Sequence, residues 1–159
     1  LGSDIIFLSQ ENPYKLSPTI MHEITHSLME DAHFPTWINE GLAEYYSDKA
    51  LDIFHPKTKY AEGVEDWSFG TDDSNLNVSN QYYESSHTAI QNVAEVYGED
   101  TLRELTHYFI ENPFVYSSNV TKIQYHTETI LAKMRSLTGD EKLVSVEYLA
   151  NLHKAKPST

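Results

Sequence analysis

The segment HEITH, residues 22–26, decides how the rest of this sequence is interpreted. His22 and His26 are four residues apart, so on a helix they share one face, with Cβ atoms about 5–6 Å apart. Two imidazoles at that spacing can bind one Zn²⁺ ion at about 2.0–2.1 Å, while Glu23 lies beside them without being a ligand. The segment therefore predicts a zinc site on a helix, with Glu23 as the base that acts on a zinc-activated water.

The neighbouring residues predict that helix over residues 18–32. Ser17 followed by Pro18 is typical of a helix start, with serine as N-cap and proline at the first helical position. The residues that recur at helical spacing are apolar: Ile20, Met21, Ile24 and Leu28. This pattern predicts a buried helix. Two histidines and a glutamate on a buried helix carry a desolvation cost, which a bound metal ion would offset.

A second segment, WINEGLAEYY at residues 37–46, supplies a candidate third ligand. Together the two segments resemble the gluzincin metallopeptidases of the peptidase MA-like superfamily, in which the glutamate of an NEG or NEA sequence is the third zinc ligand. The resemblance implies that Glu40 is this ligand. It also implies that Glu44 is the acid that holds a ligand histidine in its tautomer, a partner that ligating histidines usually have. The linker between the segments is shorter than in thermolysin-like enzymes, which favours a minimal member of the group.

The resemblance implies an α+β fold that is mainly helical, a gluzincin-like catalytic unit with a short N-terminal β element followed by a helical bundle. The β-prone run DIIFL at residues 4–8 predicts the strand. In gluzincins such a strand pairs with the substrate backbone, and an internal strand of a small sheet is the alternative. The third-ligand helix is predicted over residues 36–50, where Gly41 is expected to permit close approach of the first helix.

A further helix, predicted over residues 81–97, carries the candidates for oxyanion stabilisation. Tyr83 begins the segment YESS, which resembles the Y-E-x-G segment of aminopeptidase-like gluzincins except that a serine replaces the glycine. A phenol suits this role because it donates a hydrogen bond toward developing negative charge. His87 is the competing candidate, because thermolysin-like enzymes use a histidine. A plain packing role for Tyr83 is the third alternative.

Residues 51–80 lack helical periodicity and predict a long loop. Its acidic residues are a weak candidate for a calcium site, because no EF-hand spacing is present, and a solvated acidic loop is the favoured alternative. They are Glu62, Glu65, Asp66, Asp72 and Asp73. The histidines without ligand-like spacing are interpreted as surface or packing residues: His33, His55, His107, His126 and His153.

The C-terminal half predicts three helices, over residues 99–111, 119–137 and 140–154. Apolar residues at helical spacing define the predicted core positions of this half. They are Leu102, Leu105, Phe109, Ile123, Ile130, Leu131, Leu143, Val146 and Leu149.

Length and composition restrict the class of protein. A chain of 159 residues predicts one catalytic domain over residues 1–159, and its start without methionine is consistent with a fragment of a longer chain. The net charge of −13 argues against a nucleic-acid partner, and no apolar run is long enough to predict a membrane span. The absence of cysteine leaves zinc to histidine and carboxylate and weakly favours a secreted or cell-surface bacterial protein. Oligomeric state is not encoded in any pattern found here.

The function predicted from these residues is zinc-dependent hydrolysis of peptide bonds, with a peptide or protein as the substrate. Endopeptidase action is favoured, because residues 10–13 do not match the G-x-M-E-N motif with which aminopeptidases hold a free amino terminus. Two alternatives stay open. One is a zinc-binding interaction domain or pseudoenzyme without turnover, and the other is a zinc hydrolase that acts on a non-peptide bond.

Overall fold

The computed structural model describes residues 13–68 and 76–152, with side chains described from residue 17 and, after the gap, from residue 77. The described regular structure consists of α1 (Pro13–Met29), α2 (Thr36–Ala50), α3 (Leu76–Tyr97), α4 (Glu99–Glu111), α5 (Val120–Thr138) and α6 (Val146–Asn151). Two short 3₁₀ turns, Glu30–Ala32 and Val64–Asp66, follow α1 and precede α3.

The predicted α+β class is wrong, because all regular structure in the two described ranges is helical. No strand occurs within those ranges, and the helices form a small bundle. The strand predicted at residues 4–8 lies outside the described residues. The α+β class depended on the resemblance to the gluzincins and on that single β-prone run, whereas apolar residues elsewhere recur at the helical spacing that the structure shows.

Most of the predicted helices are confirmed. The helices α2 and α4 span the predicted residues, and α5 is displaced from its prediction by one residue at each end. The helix predicted from residue 81 begins earlier, at Leu76. The last helix begins later than predicted because Ser145 is its N-cap, and the serine side chain accepts a hydrogen bond from the Tyr148 N–H. None of the described helices is long and apolar enough to cross a lipid bilayer.

The helix α3 is central to the bundle, because α2, α4 and α6 all pack against it. All the apolar residues predicted as core in the C-terminal half are buried, and so are Trp37 and Leu42 of α2. Three buried hydrogen bonds join helices that are distant in the sequence. Trp37 Nε1 donates to Thr127 Oγ1 at 2.9 Å, and Asn92 Nδ2 donates to the Leu149 and Ala150 carbonyls at 2.8 and 3.1 Å. Because buried polar groups need such partners, these bonds position α5 and α6.

Gly41 allows α2 and α3 to approach each other closely. A Cβ atom at this position would lie 2.7 Å from the Ser86 carbonyl oxygen and 2.8 Å from Ile90 Cγ1. The prediction for Gly41 is therefore wrong about the partner, which is α3 rather than the first zinc helix. The Ser86 oxygen is a backbone atom, so it cannot move away without displacing α3 itself.

The helix α1 differs from its prediction in both its start and its exposure. It begins at Pro13, so Pro18 lies inside the helix, where it removes one backbone N–H donor. The Pro18 carbonyl accepts a hydrogen bond of 2.9 Å from Ser47 Oγ, which joins α1 to α2. The predicted burial is wrong for Ile24 and Leu28, whose exposed fractions are 39% and 73%. The face of α1 that carries the histidines is turned toward α2 instead.

The segment between α2 and α3 is irregular over residues 53–61, as predicted, but it is attached to α3. The Thr58 backbone N–H donates to Thr88 Oγ1 at 2.9 Å, and the Ala61 N–H donates to Ser85 Oγ at 3.1 Å. These bonds satisfy backbone donors that no regular element would satisfy. This linker therefore has a defined position along α3.

We expect Gly41→Ala to destabilise the protein, although alanine is intrinsically the better helix former by about 1 kcal/mol. The added methyl group would overlap the Ser86 carbonyl and Ile90, and overpacking of this kind costs about 1–3 kcal/mol. Thermal unfolding followed by circular dichroism should show a lower Tm for Gly41→Ala than for the parent. The control is Ser136→Ala at an exposed position of α5, which should leave the Tm nearly unchanged. A Tm for Gly41→Ala at or above that of the parent would contradict the close packing of α2 on α3.

Candidate metal centre

Three side chains meet where α1 contacts α2. His22 and His26 come from α1, and Glu40 comes from α2. His22 Nε2 lies 3.1 Å from Glu40 Oε2, His26 Nε2 lies 3.3 Å from the same oxygen, and the two Nε2 atoms are 2.9 Å apart. The structure thus brings together the three residues that the sequence analysis names as zinc ligands.

The distances among these three atoms fit a tetrahedral zinc site. With metal–ligand distances of about 2.0–2.1 Å, two ligand atoms of a tetrahedron lie about 3.3 Å apart. The observed separations of 2.9–3.3 Å require only small adjustments to reach that value. Two imidazoles and one carboxylate are also a ligand set of catalytic zinc sites, which leave the fourth position open.

The electrostatics of the group favour a positive charge at its centre. Glu40 is only 2% exposed, so water does little to compensate its carboxylate, which can only accept hydrogen bonds. Burial opposes the protonated form of His22, but the carboxylates of Glu40 and Glu44 raise its pKa well above the usual range. Burial likewise opposes ionisation of Glu40, and the two histidines outweigh it and lower the pKa of Glu40. A divalent cation would supply the charge that these groups attract.

Glu44 determines which nitrogen of His22 faces Glu40 and His26. Glu44 Oε1 lies 2.9 Å from His22 Nδ1, so we infer that Nδ1 carries the proton and donates it to this carboxylate. The lone pair of His22 Nε2 then points toward the candidate metal position. His26 has no equivalent partner within the described chain, where its Nδ1 is buried without a hydrogen bond.

Glu23 lies on α1 directly after His22 and is partly buried. Successive residues of a helix are rotated by about 100°, so Glu23 is beside the histidine face and not on it. It does not belong to the group of converging ligand atoms. A general base needs a position of this kind, next to the metal ligands but outside them.

Tyr83 lies on α3 and lines a cavity that also borders His22, one of the three candidate ligands. The cavity has a volume of about 250 Å³, and its lining includes His22, Glu44 and Tyr83. The Tyr83 ring also packs edge-on against Trp67, with ring centroids 4.8 Å apart. The arrangement accommodates both a donor role and a packing role for Tyr83.

The structure places His87, the other oxyanion candidate, in a different group. Its ring lies 4.2 Å from that of His55, centroid to centroid, and its Nε2 lies 3.8 Å from Asp48 Oδ2. The sequence analysis missed both partners. Asp48 follows Glu44 by one helical turn on α2, which is a usable signal. His55 lies in the irregular linker, where no spacing rule applies.

The acidic residues predicted as an alternative calcium site do not converge within the described chain. Glu65 accepts a hydrogen bond of 2.7 Å from Tyr60, and Asp66 accepts one of 3.0 Å from Gln124. The described residues contain two converging groups of metal-binding side chains: His22, His26 and Glu40, and Asp48, His55 and His87. Asp72 and Asp73 lie outside the described residues.

Comparison with protein-family models, curated proteins and solved structures finds no match to this chain. The fold and the site therefore identify only the class of protein, which is a small helical bundle with a candidate metal centre of two histidines and a glutamate. The resemblance to the gluzincins depends chiefly on residues of α1 and α2.

We expect Glu40→Ala to abolish tight zinc binding at this centre and Glu44→Gln to weaken binding there by about 10–100-fold, the usual effect of losing a partner of a ligand histidine. Glutamine keeps the shape of Glu44 but loses the charge that orients His22. Zinc affinity would be measured by competition with a chromophoric chelator. The matched control is Glu104→Gln at an exposed position of α4, which should bind zinc like the parent. Parent-like affinity in Glu40→Ala would exclude Glu40 as a ligand.

Proposed function

We propose that this protein is a zinc-dependent peptidase in which His22, His26 and Glu40 hold the metal. The observation that carries the proposal is the convergence of their three ligand atoms within 2.9–3.3 Å, with Glu23 beside them on α1. When bound, zinc supplies Lewis-acid chemistry that polarises a carbonyl group and lowers the pKa of water toward about 7.

Glu23 is the general base of the proposed reaction. Its carboxylate takes a proton from the attacking water and later passes that proton to the nitrogen of the leaving amine. The partial burial of Glu23 suits this role, because the carboxylate is accessible to water and substrate but is not fully solvated. Glu44 keeps the His22 proton on Nδ1, so His22 acts only as a metal ligand and does not transfer a proton in the reaction.

Tyr83 is the proposed hydrogen-bond donor to the oxyanion. It lines the same cavity as His22 and Glu44. In the proposed reaction the substrate carbonyl enters this cavity beside His22 and accepts a hydrogen bond from the phenol. His87 is the weaker candidate, because its ring lies against His55 and near Asp48.

The proposed substrate is a peptide or protein that is cleaved internally. A zinc-binding domain without turnover is the less favoured function, since holding a metal requires neither a base at Glu23 nor an accessible cavity beside the ligands. A non-peptide substrate would use the same ligands. The assay therefore presents quenched fluorescent peptides, a denatured protein and simple esters to the zinc-loaded protein side by side.

We expect Glu23→Gln to lower kcat for peptide cleavage by about 10²–10⁴-fold, the usual contribution of a general base. Glutamine occupies the same volume but cannot accept the proton, and zinc content by elemental analysis should match that of the parent. Glu104→Gln again serves as the control and should cleave normally. Equal cleavage by Glu23→Gln and the parent would refute the mechanism. Cleavage of esters but not peptides would assign a different hydrolase.

We expect Tyr83→Phe to reduce kcat by about 10–10³-fold with little change in KM, because its hydrogen bond would form mainly in the transition state. Phenylalanine keeps the ring contact with Trp67, so the variant separates donation of a hydrogen bond from packing. Steady-state kinetics on the best peptide substrate would supply both constants. Wild-type kcat in Tyr83→Phe would leave Tyr83 with the packing role only.

A further inference from the structure

A second group of potential ligands lies beside the candidate metal centre. Asp48 is on α2, His55 is on the linker after α2, and His87 is on α3. Asp48 Oδ2 lies 3.6 Å from His55 Nδ1 and 3.8 Å from His87 Nε2. One ligand atom from each residue lies within 4.8 Å of the other two. None of the three residues belongs to the first group.

Several polar atoms around this group are buried and lack a hydrogen bond to the described residues. The His87 side chain is only 3% exposed, and neither its Nδ1 nor Asp48 Oδ2 has a hydrogen-bond partner within residues 13–68 and 76–152. The side-chain oxygen of Gln91, which lines the same cavity of about 130 Å³, is also without one. Buried acceptors without partners are costly, and a cation between the two imidazoles and Asp48 Oδ2 would satisfy this carboxylate oxygen.

The lysine that lines this cavity does not supply that charge. Lys49 lines the same cavity, but its Nζ is paired with Glu99. Burial raises the pKa of Asp48, with a smaller opposing effect of His55, which is the direction expected for a carboxylate that lacks a close cation. Burial lowers the pKa of His87 to about 4, so its imidazole is neutral and has a lone pair available at neutral pH.

The linker places His55 without help from a ligand. Its backbone N–H groups at Thr58 and Ala61 are hydrogen-bonded to side chains of α3, and Lys57 pairs with Glu95 of the same helix. These bonds hold the linker after His55, and the Ile53 N–H holds it before His55 by donating to the Asp48 carbonyl at 2.8 Å. His55 therefore faces the α3 residue His87 from a segment that is hydrogen-bonded on both sides. Preorganisation of this kind reduces the entropy that ligand binding would otherwise cost.

We propose that Asp48, His55 and His87 form a second binding site for a divalent transition-metal ion of the zinc class. Two imidazoles exclude the hard cations Ca²⁺ and Mg²⁺, which take oxygen ligands, and favour zinc or its transition-metal neighbours. The observed 3.6 and 3.8 Å from Asp48 exceed the about 3.3 Å between tetrahedral ligands, and the ligand atoms of His55 and His87 lie within 4.8 Å of each other, so the site contracts when it binds metal. The linker residue His55 is the ligand that can make this adjustment.

The second site is independent of the proposed peptidase function, because it uses different ligand atoms. It is nevertheless adjacent to the first, since Glu44 and Asp48 lie one turn apart on α2 and line a common cavity with His22. The second site also gives His87 a role, which leaves Tyr83 as the oxyanion donor in the proposed reaction.

The test counts zinc by equilibrium dialysis at a fixed, buffered free zinc concentration, with elemental analysis of the protein compartment. The parent should bind two zinc ions per chain, and His55→Asn and Asp48→Asn should each bind one fewer. Glu40→Ala should also lose one, from the other site. The matched control, His107→Asn, removes an exposed histidine of α4 and should keep the parent's count. Circular dichroism of the metal-free proteins verifies that each variant is folded.

Loss of one zinc ion in His55→Asn but not in His107→Asn supports the second site, whatever the outcome of the peptidase assay. An unchanged count in both His55→Asn and Asp48→Asn overturns it. A parent that binds one zinc ion, lost only in Glu40→Ala, overturns the second site and leaves the first intact. Zinc that is lost only in His55→Asn and Asp48→Asn, with Glu40→Ala unchanged, supports the second site and refutes the proposed peptidase centre.

Discussion

The contact between α1 and α2 is constrained by the buried charge of Glu40. A carboxylate that is almost inaccessible to water must be compensated by groups that carry or attract positive charge. The two histidines of α1 fulfil this requirement, and they do so only because α1 turns its histidine face inward and leaves Ile24 and Leu28 exposed. Compensation of the Glu40 charge therefore takes precedence over burial of these two apolar side chains of α1.

The helix α2 presents a row of three carboxylates, Glu40, Glu44 and Asp48, each one turn from the next. Like charges at this spacing disfavour a helix. Burial is the main cause that raises the pKa of Asp48, and Glu44 adds to it. Burial and, more weakly, Glu40 also oppose ionisation of Glu44, but the hydrogen bond to His22 lowers the pKa of Glu44 overall. Histidines from α1, the linker and α3 lie along this row. The glycine next to Glu40 brings α3 close enough for His87 to take part. The same helix thus organises both candidate metal sites.

Local patterns sufficed to predict the helices, because helical periodicity and capping residues depend only on neighbouring positions. They also sufficed for the core of the C-terminal half and for His22 and His26, whereas Glu40 was predicted from the resemblance to the gluzincins. The α+β class was wrong because it was taken from that resemblance and from one β-prone run. The partner of Gly41 and the meeting of His55 with His87 could not be predicted. Both depend on how α3 packs on α2, and the path of the linker follows from side-chain hydrogen bonds to α3.

The hydrogen bonds from Asn92 to α6 have a consequence for how the chain unfolds. A six-residue helix is too short to persist alone, so α6 exists only while its C-terminal carbonyls and apolar face are held by α3. The helix α3 also carries Tyr83 and His87 and sets the position of the linker. The helices α6 and α3 therefore belong to one cooperative unit. Slow amide exchange in α6 would show that α3, which carries Tyr83 and His87, is still folded.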